Sequence, residues 1–417
     1  MSRPPVQPSL AVVLQGFDQG GGVATSCLNQ ITILSQVYRI ILFTDGGSLQ
    51  PRQVPEGVVV QRLPVPELRW LHRLAHVPRQ WVFVLAVRRA LLGAGARESY
   101  AGVLFHSHPA AALLATPLRR RRIRSLLVVH GDIFDRPPGT YDWRLTAWYR
   151  WATPRAYRRV DAIISLSPAM VGLARRWQAD GVASHLVPNC IDPAAIGLDA
   201  GALSGDGLLA GAEGGGCDTN VRRGTVESGA VERDQGEELL FVGRIEPVKG
   251  IDVLLDAVAV LHGSGRQLRL RCIGSVSPRY IAQLEQRIEE LGLRSVVRLG
   301  GPQSRSRLGE CYRRCLLLVV PSRSEPQATV ILEGMAAGCA IVASDVGGNR
   351  MMLETERSGL LFPRDDLPAL VRCLERLLDD PVFRQRLGAE ARSRFHREFS
   401  RQALGPRLLE AVAASLE

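Results

Sequence analysis

Short apolar runs alternate with helix-patterned stretches along almost the whole chain, and that alternation narrows the fold more than any other feature. A strand covered on both faces reads as a continuous apolar run, and the helix after it returns the chain for the next parallel strand. In the first half, strands are predicted at 10–14, 39–44, 58–62, 102–105, 125–130, 161–166 and 185–187, and helices at 22–36, 67–92, 142–158 and 167–179. In the second half, strands are predicted at 239–243, 268–273, 296–299, 316–320 and 340–343. A helix over 251–262 places Ile251, Leu254, Leu255, Val258 and Leu261 on one face. A chain of 417 residues is too long for one ordinary core and suits two such α/β domains.

The boundary is read where the pattern fails. Residues 201–238 are dominated by Gly, Ser, Ala, Asp and Glu, with little apolar periodicity, so they are predicted as a flexible linker or surface insertion. The expected organisation is a first domain over 1–200, a second over 239–385, and a C-terminal helix over 386–417 that crosses back to the first. Eight cysteines include no Cys-x-x-Cys pair and read as buried reduced thiols. The apolar run at 9–14 is too short for a signal peptide, and no run reaches the ~18 apolar residues of a membrane span. The formal net charge of +11 suits an anionic partner, although arginine bias across the chain supplies part of it.

That bias gives one residue unusual weight. Of 52 Lys plus Arg, a single one, Lys249, is lysine. It stands in Phe241-Val242-Gly243-Arg244-Ile245-Glu246-Pro247-Val248-Lys249-Gly250, an apolar run entering a turn ahead of a helix. A compact ammonium kept where arginine is the default points to a point charge on an anion, with Arg244 beside it as a bidentate partner. Farther on comes Glu325-Pro326-Gln327-Ala328-Thr329-Val330-Ile331-Leu332-Glu333. If a helix starts at Pro326, its span of about 12 Å matches the distance between the sugar and the ribose of a nucleoside diphosphate sugar. The free amides of Ala328, Thr329 and Val330 would then face the phosphates. Taken alone, the two acids fit a solvated helix equally well. Two weaker signals lie in the first half. A loop containing Gly20, Gly21 and Gly22 follows a strand, and His130 ends one, with Gly131 after it. His106 and His108 flank another strand end without a third metal ligand nearby in sequence.

Together these pieces resemble the GT-B fold glycosyltransferases, most closely family 4, the retaining group 1 enzymes. The resemblance rests on Gly20 to Gly22, Val128-Val129-His130-Gly131, Val187-Pro188-Asn189-Cys190-Ile191-Asp192, Phe241 to Gly250, Pro321 to Gly338, and Val346-Gly347-Gly348, in order along nearly the whole chain. It implies two Rossmann-like doubly wound parallel-sheet domains facing a central cleft. It further implies that Glu333 holds the ribose hydroxyls, Glu325 the donor-sugar hydroxyls, and Arg244 and Lys249 the diphosphate. Gly21 and Gly22 would approach the diphosphate from the opposite domain, and His130 would contact the donor sugar. Cys190, the run Gln327-Ala328-Thr329, Gly334 and Met351 depart from the usual family pattern.

The function expected is transfer of a sugar from a nucleoside diphosphate sugar to a hydroxyl of a glycan or lipid-linked acceptor, with retention and without metal or other cofactor. A nucleotide-sugar epimerase and a non-catalytic scaffold share the fold and stand as alternatives. No nucleic-acid partner is expected, because no binding motif accompanies the charge. A cytoplasmic protein, peripheral on the inner face of the membrane, is the expected setting. Residues 69–89 interleave arginines with Trp70, Leu71, Leu74, Trp81, Phe83 and Leu85, and Arg119, Arg120, Arg121, Arg122 and Arg124 cluster beyond them. That mixture reads as an interfacial helix beside a cationic patch.

Overall fold

The computed structural model describes residues 7–15, 22–45, 54–65, 76–93, 99–131, 143–198 and 237–417. The first domain runs β1 (Ser9–Val13), α1 (Gly22–Leu34), β2 (Arg39–Thr44), β3 (Val59–Arg62), α2 (His76–Leu92), β4 (Tyr100–Phe105) and α3 (His108–Arg120). It continues through β5 (Arg124–Val129), α4 (Trp143–Arg159), β6 (Ala162–Ser165), α5 (Pro168–Arg175) and β7 (Ala183–Leu186). The second contains β8 (Glu237–Val242), α6 (Ile251–Gly263), β9 (Leu268–Ile273), α7 (Pro278–Glu290), β10 (Val297–Leu299), α8 (Arg305–Arg314) and β11 (Leu317–Val320). It continues through α9 (Thr329–Ala337), β12 (Ala340–Ser344), α10 (Asn349–Met352), β13 (Leu360–Phe362), α11 (Leu367–Asp379) and α12 (Pro381–Arg394). A π-helical turn, Phe395–Phe399, leads into α13 (Arg401–Leu416).

Both sheets are wholly parallel. Their strand orders are β3-β2-β1-β4-β5-β6-β7 and β10-β9-β8-β11-β12-β13. In each, the chain winds one way from the first strand and then the other, so the switch lies at β1/β4 and at β8/β11. At such a switch the loops leaving adjacent strands part and leave a crevice at the carboxyl ends. The fold is therefore the doubly wound GT-B arrangement expected.

The predicted strands match to within a residue or two; the helix expected over 167–179 ends at Arg175, and the single helix expected over 386–417 is instead the end of α12 and α13 with the π-helical turn between them. β13 was not expected, because its three residues are too short to show a period. Glu237 and Glu238, assigned to the linker, open β8 instead. The Glu238 carboxylate pairs with Arg271 on neighbouring β9 at 2.8 Å, which offsets its poor strand propensity. Helix α9 begins at Thr329 rather than at Pro326. Residues 199–236, which hold most of the expected linker, lie outside the described residues, as do Gly20, Gly21 and residues 66–75.

An apolar cluster continues from the first sheet into the second. It joins Leu10, Ile31 and Val128 through Val187, Ile191 and Ile196 to Leu318, Ile331 and Met335, and on to Leu404, Leu408 and Val412 of α13. Alpha-13 lies on α1, and its polar groups anchor it there. Arg401 reaches Asn29 at 3.2 Å and Asp192 at 3.1 Å, and Arg407 donates to the Leu186 carbonyl at 3.0 Å. The short 3-10 turn Pro193–Ile196 seats against α8 with no room to spare, since a Cβ built at Gly309 would overlap the Ile196 carbonyl oxygen. Backbone cannot move aside as a side-chain tip can. Gly309→Ala should therefore lower stability by about 1–3 kcal/mol, the usual cost of forced overpacking. Chemical denaturation checks this, and an unchanged midpoint would show that the two domains can separate at this seam freely.

Candidate active site

Apart from Val330 and Glu333, which lie within the first turns of α9, the groups singled out in the described residues lie past the carboxyl end of a strand, at or beside the two switch points. Val13 of β1 leads towards Gly22, which opens α1. His106 follows β4, and His130 follows β5. Arg244 and Lys249 follow β8, Glu325 follows β11, and Gly347-Gly348 follow β12. The crevices of the two sheets approach one another here, because a Cβ at Gly22 would lie 3.9 Å from Thr329 Oγ1 at the start of α9.

The second-domain wall is built by three loops that interlock. Lys249 ends a 3-10 turn, Pro247–Lys249, and Gly250 after it adopts φ +67°. That left-handed backbone turns the chain into α6, and a Cβ there would overlap the Pro321 carbonyl oxygen. The Arg323 N–H donates to the Val248 carbonyl at 2.9 Å. The Arg323 guanidinium grips Asp252 through two bonds of 2.9 and 2.7 Å and Asp365 through another of 2.7 Å. Gly347, at φ +49°, packs so closely on the Glu325 carbonyl that only glycine fits, and the Gly348 N–H donates to that carbonyl at 3.1 Å.

These contacts bring Lys249 and Glu325 together, 76 residues apart, as a direct Nζ–Oε1 ion pair. The Ser322 hydroxyl donates to the same carboxylate oxygen at 3.0 Å. The pair is mostly shielded, at 20% and 9% side-chain exposure. Arg244 is more open and pairs with Glu246 at 2.8 Å. The cations assigned to an anion are thus each held by a carboxylate.

Because α9 starts at Thr329, the segment from Pro326 to Ala328 approaches it in non-helical backbone. Ala328 is the N-cap, and no side chain caps the helix. The opening amides of α9, Thr329 and Val330 among them, therefore stay open to an anion, whereas Glu325 lies four residues before the helix rather than immediately before it. Glu333 lies one turn into α9 and accepts from the Tyr312 hydroxyl at 2.6 Å. Burial raises its carboxyl to about 6, while the Tyr312 hydrogen bond and the Arg305 charge pull it back. Tyr312 is pushed well above its usual range, first by burial and then by that carboxylate.

In the first domain, buried His106 and His108 share a corner with partly exposed His130. His106 Nδ1 lies 2.6 Å from His130 Nε2, and their rings stack at 4.9 Å between centroids. His108 packs edge-on against Tyr149 and Tyr157. Burial depresses all three, His106 to about 3, His108 to about 4 and His130 well below its usual value, the last also through the other two imidazoles. All three are neutral at pH 7. Among the described residues, no cluster of three or more His, Cys, Asp or Glu side chains could hold a metal ion.

Several positioning groups gave no sequence signal. Arg323 is one arginine among many, and Tyr312 lies on another helix from the glutamate it holds. Gln327 was noted only as a departure from a family pattern. It is 5% exposed and accepts from the Asn189 N–H of the first domain at 2.6 Å, so it joins the two domains beside the site.

A fold of two parallel sheets meeting at their switch points, with a lysine, two glutamates and an uncapped helix between them, defines a GT-B scaffold. The comparisons agree. The family model for glycosyl transferases group 1 matches residues 227–394, and that for the glycosyl transferase 4-like domain matches residues 21–190. The chain belongs to the group 1 glycosyltransferases. It is 38% identical over 186 residues to a D-inositol 3-phosphate glycosyltransferase of Thermobispora bispora, a match covering 43% of each protein. A second such protein, of Frankia alni, is 38% identical over 168 residues, 39% of this chain and 41% of that one. The chain thus spans less than half the length of these curated relatives. Among solved structures, sucrose-phosphate synthase from Thermosynechococcus elongatus superposes with a TM-score of 0.76 at 20% identity, over 98% of this chain and 99% of that one. Anabaena HepE, in complex with UDP-glucose, superposes at 0.73 and 16% identity, over 97% and 99%. At such identities the solved structures speak for the fold.

The Glu333 carboxyl supplies a pH test. An acid raised to about 6 is half protonated there, and a protonated carboxyl offers fewer acceptors to ribose hydroxyls. Affinity for a free nucleoside diphosphate should fall by up to about tenfold per pH unit below pH 6, beyond the change caused by the ligand's own phosphate. Calorimetry across pH 5–8 on wild type and Glu333→Gln isolates the difference. Identical pH profiles in both would remove the ribose role.

Proposed function

We propose that the chain is a retaining glycosyltransferase, moving a sugar from a nucleoside diphosphate sugar to a hydroxyl of a glycan or lipid-linked acceptor in cell-envelope polysaccharide or glycolipid synthesis. The observation that carries this reading is the convergence of Lys249, Glu325 and the uncapped start of α9 in one shielded crevice. Such a site offers charge and amides to a diphosphate and a carboxylate to sugar hydroxyls. Glu333 would take the ribose from farther along α9, and Gly22 would let the opposite domain approach. The UDP-glucose complex of HepE supports a uridine diphosphate donor. The relatives' name supports trying a phosphorylated polyol as acceptor, which the chain's net charge of +11 would favour.

In the step proposed, the bond from the anomeric carbon to the β-phosphate oxygen breaks and a bond to the acceptor oxygen forms on the same face. The acceptor proton passes to the departing phosphate. No metal or other cofactor is required, because Lys249 and Arg244 meet the charge that develops on that phosphate. Arg244, itself exposed, needs only to leave its half-buried partner Glu246 to do so.

The test is product analysis with UDP-sugars and candidate acceptors, including inositol 3-phosphate. Wild type should form a glycoside with retained configuration. Lys249→Ala should cut turnover by about two orders of magnitude, the scale of one lost transition-state stabiliser. Epimerised nucleotide sugar without acceptor, or wild-type turnover in the variant, would sink the assignment.

Attachment to an anionic membrane from the first domain belongs to the same proposal, in altered form. Phe83, assigned to the lipid headgroups, is instead fully buried with Val84 and Val87, because α2 packs that stripe on the first sheet. Arg79 is engaged with Asp45 at 3.3 Å. Arg119 is engaged with Asp161 and with the Arg159 carbonyl. The opposite face of α2 supplies exposed Trp81, Val82 and Leu85, the last at 52%. A groove of about 490 Å³ beside it is lined by Arg88, Arg89, Arg120 and Arg121 with Leu85 and Leu92. Among the described residues no helix is long and apolar enough to cross a membrane. In liposome flotation, binding should need anionic lipid, fall steeply with salt and weaken when Arg120 and Arg121 become Ser. Salt-independent binding, or none, would favour a soluble acceptor.

A further inference from the structure

We propose that His106 is a positioning residue that holds His130 as the tautomer protonated on Nδ1, so that His130 faces the cleft as a hydrogen-bond donor and not as a base. The 2.6 Å contact between His106 Nδ1 and His130 Nε2 requires a proton on one of those nitrogens and a lone pair on the other. Both rings are neutral, since burial holds their protonated forms far below pH 7. Two arrangements remain. If His130 donates, the proton of His106 must sit on Nε2. That atom is buried and has no partner, so the result is a buried N–H with nothing to accept it. If His106 donates, its buried Nε2 carries only an unmatched lone pair. An orphaned buried donor is the rarer and costlier defect, so the second arrangement wins.

The consequence propagates to the ligand. With Nε2 accepting from His106, His130 carries its proton on Nδ1, its other ring nitrogen, for which the described residues provide no partner. An imidazole N–H in that place can donate to an oxygen of a sugar, and it cannot remove a proton. Free imidazole side chains in water tend towards the opposite tautomer, so the protein itself imposes this one. His108 does not compete for the His130 ring. Its own ring is turned edge-on to Tyr149 and Tyr157, and its Nε2 is buried without a partner. The functional meaning of the donor rests on the reading that His130 faces the donor sugar; the tautomer itself does not.

The two are separated by measuring them apart. Nitrogen-15 spectra of histidine-labelled full-length protein without any ligand report which ring nitrogen carries the proton, and a His130→Gln sample assigns the signal. Wild type should show His130 protonated on Nδ1. His106→Phe keeps the ring shape and removes the donor, so His130 should move to the Nε2 form. His106→Asn places an amide N–H near the former Nδ1 and should restore the Nδ1 form. His106→Asp offers only an acceptor there and should force a proton onto His130 Nε2, which keeps the test available if the Phe variant does not fold. An Nε2-protonated His130 in wild type, or a tautomer indifferent to these changes, overturns the proposal. With a UDP-sugar and acceptor, His106→Phe should lower kcat about tenfold with little change in KM, and His106→Asn should recover most of it. If the tautomer shifts as expected while no sugar is transferred by wild type, the glycosyltransferase reading fails and the positioning role of His106 stands.

Discussion

Parallel strands buried on both faces are the constraint on which the rest depends. Such strands cannot be joined by tight turns, so each is followed by a loop, a helix and a return. All the strands in each sheet therefore end on the same side. Where the winding reverses, at β1/β4 and β8/β11, the loops part and leave a crevice. The chemistry collects there because polar backbone and side chains have nowhere else near the core to be solvated. One sheet supplies a histidine corner and a glycine at a helix start. The other supplies the lysine, the glutamates and a helix with open amides.

The second-domain wall depends on backbone fit as much as on charge. Gly250 under Pro321, and Gly347 against Glu325, let three loops from separate strands lie closer than side chains would allow. Arg323 then ties two of them through Asp252 and Asp365. The Lys249–Glu325 pair forms within that frame. Two partly buried opposite charges are costly to separate, so neither is free to wander.

The link between domains is mixed in kind. Apolar packing through Val187, Ile191 and Ile196 continues into the second domain and the C-terminal helices, which supplies cohesion without direction. Direction comes from hydrogen bonds: Asn189 to Gln327, Asn29 to the Cys190 carbonyl, and Arg401 to Asn29 and Asp192. These contacts connect the middle of α1, the loop after β7, the approach to α9 and the start of α13. Gln327 is the residue that brings this network to the second-domain wall of the cleft.

Hydrophobic period determined most of the fold from sequence alone. Run 39–44 is too apolar and β-branched to be anything but a covered strand, run 268–273 alternates Leu with Arg before Cys272 and Ile273 at strand period, and the structure matches both. The rarity of lysine likewise marked Lys249 before any coordinate, because composition makes the exception visible. Tertiary structure decided what has no local period. Beta-13 is too short to announce itself. The start of α9 moved three residues from Pro326, because the segment before it is held by Gly347 and Gly348 from another strand's loop. The pairing of Glu238 with Arg271 turned two apparent linker residues into strand. Phe83 lies in an amphipathic stretch whose buried face could be identified only once the first sheet was placed against it. His106 stands 24 residues from His130, and only the adjacency of β4 and β5 in the sheet brings their rings within a hydrogen bond. Sequence periodicity reports which residues must leave water; which partners they meet depends on how the parallel strands are ordered.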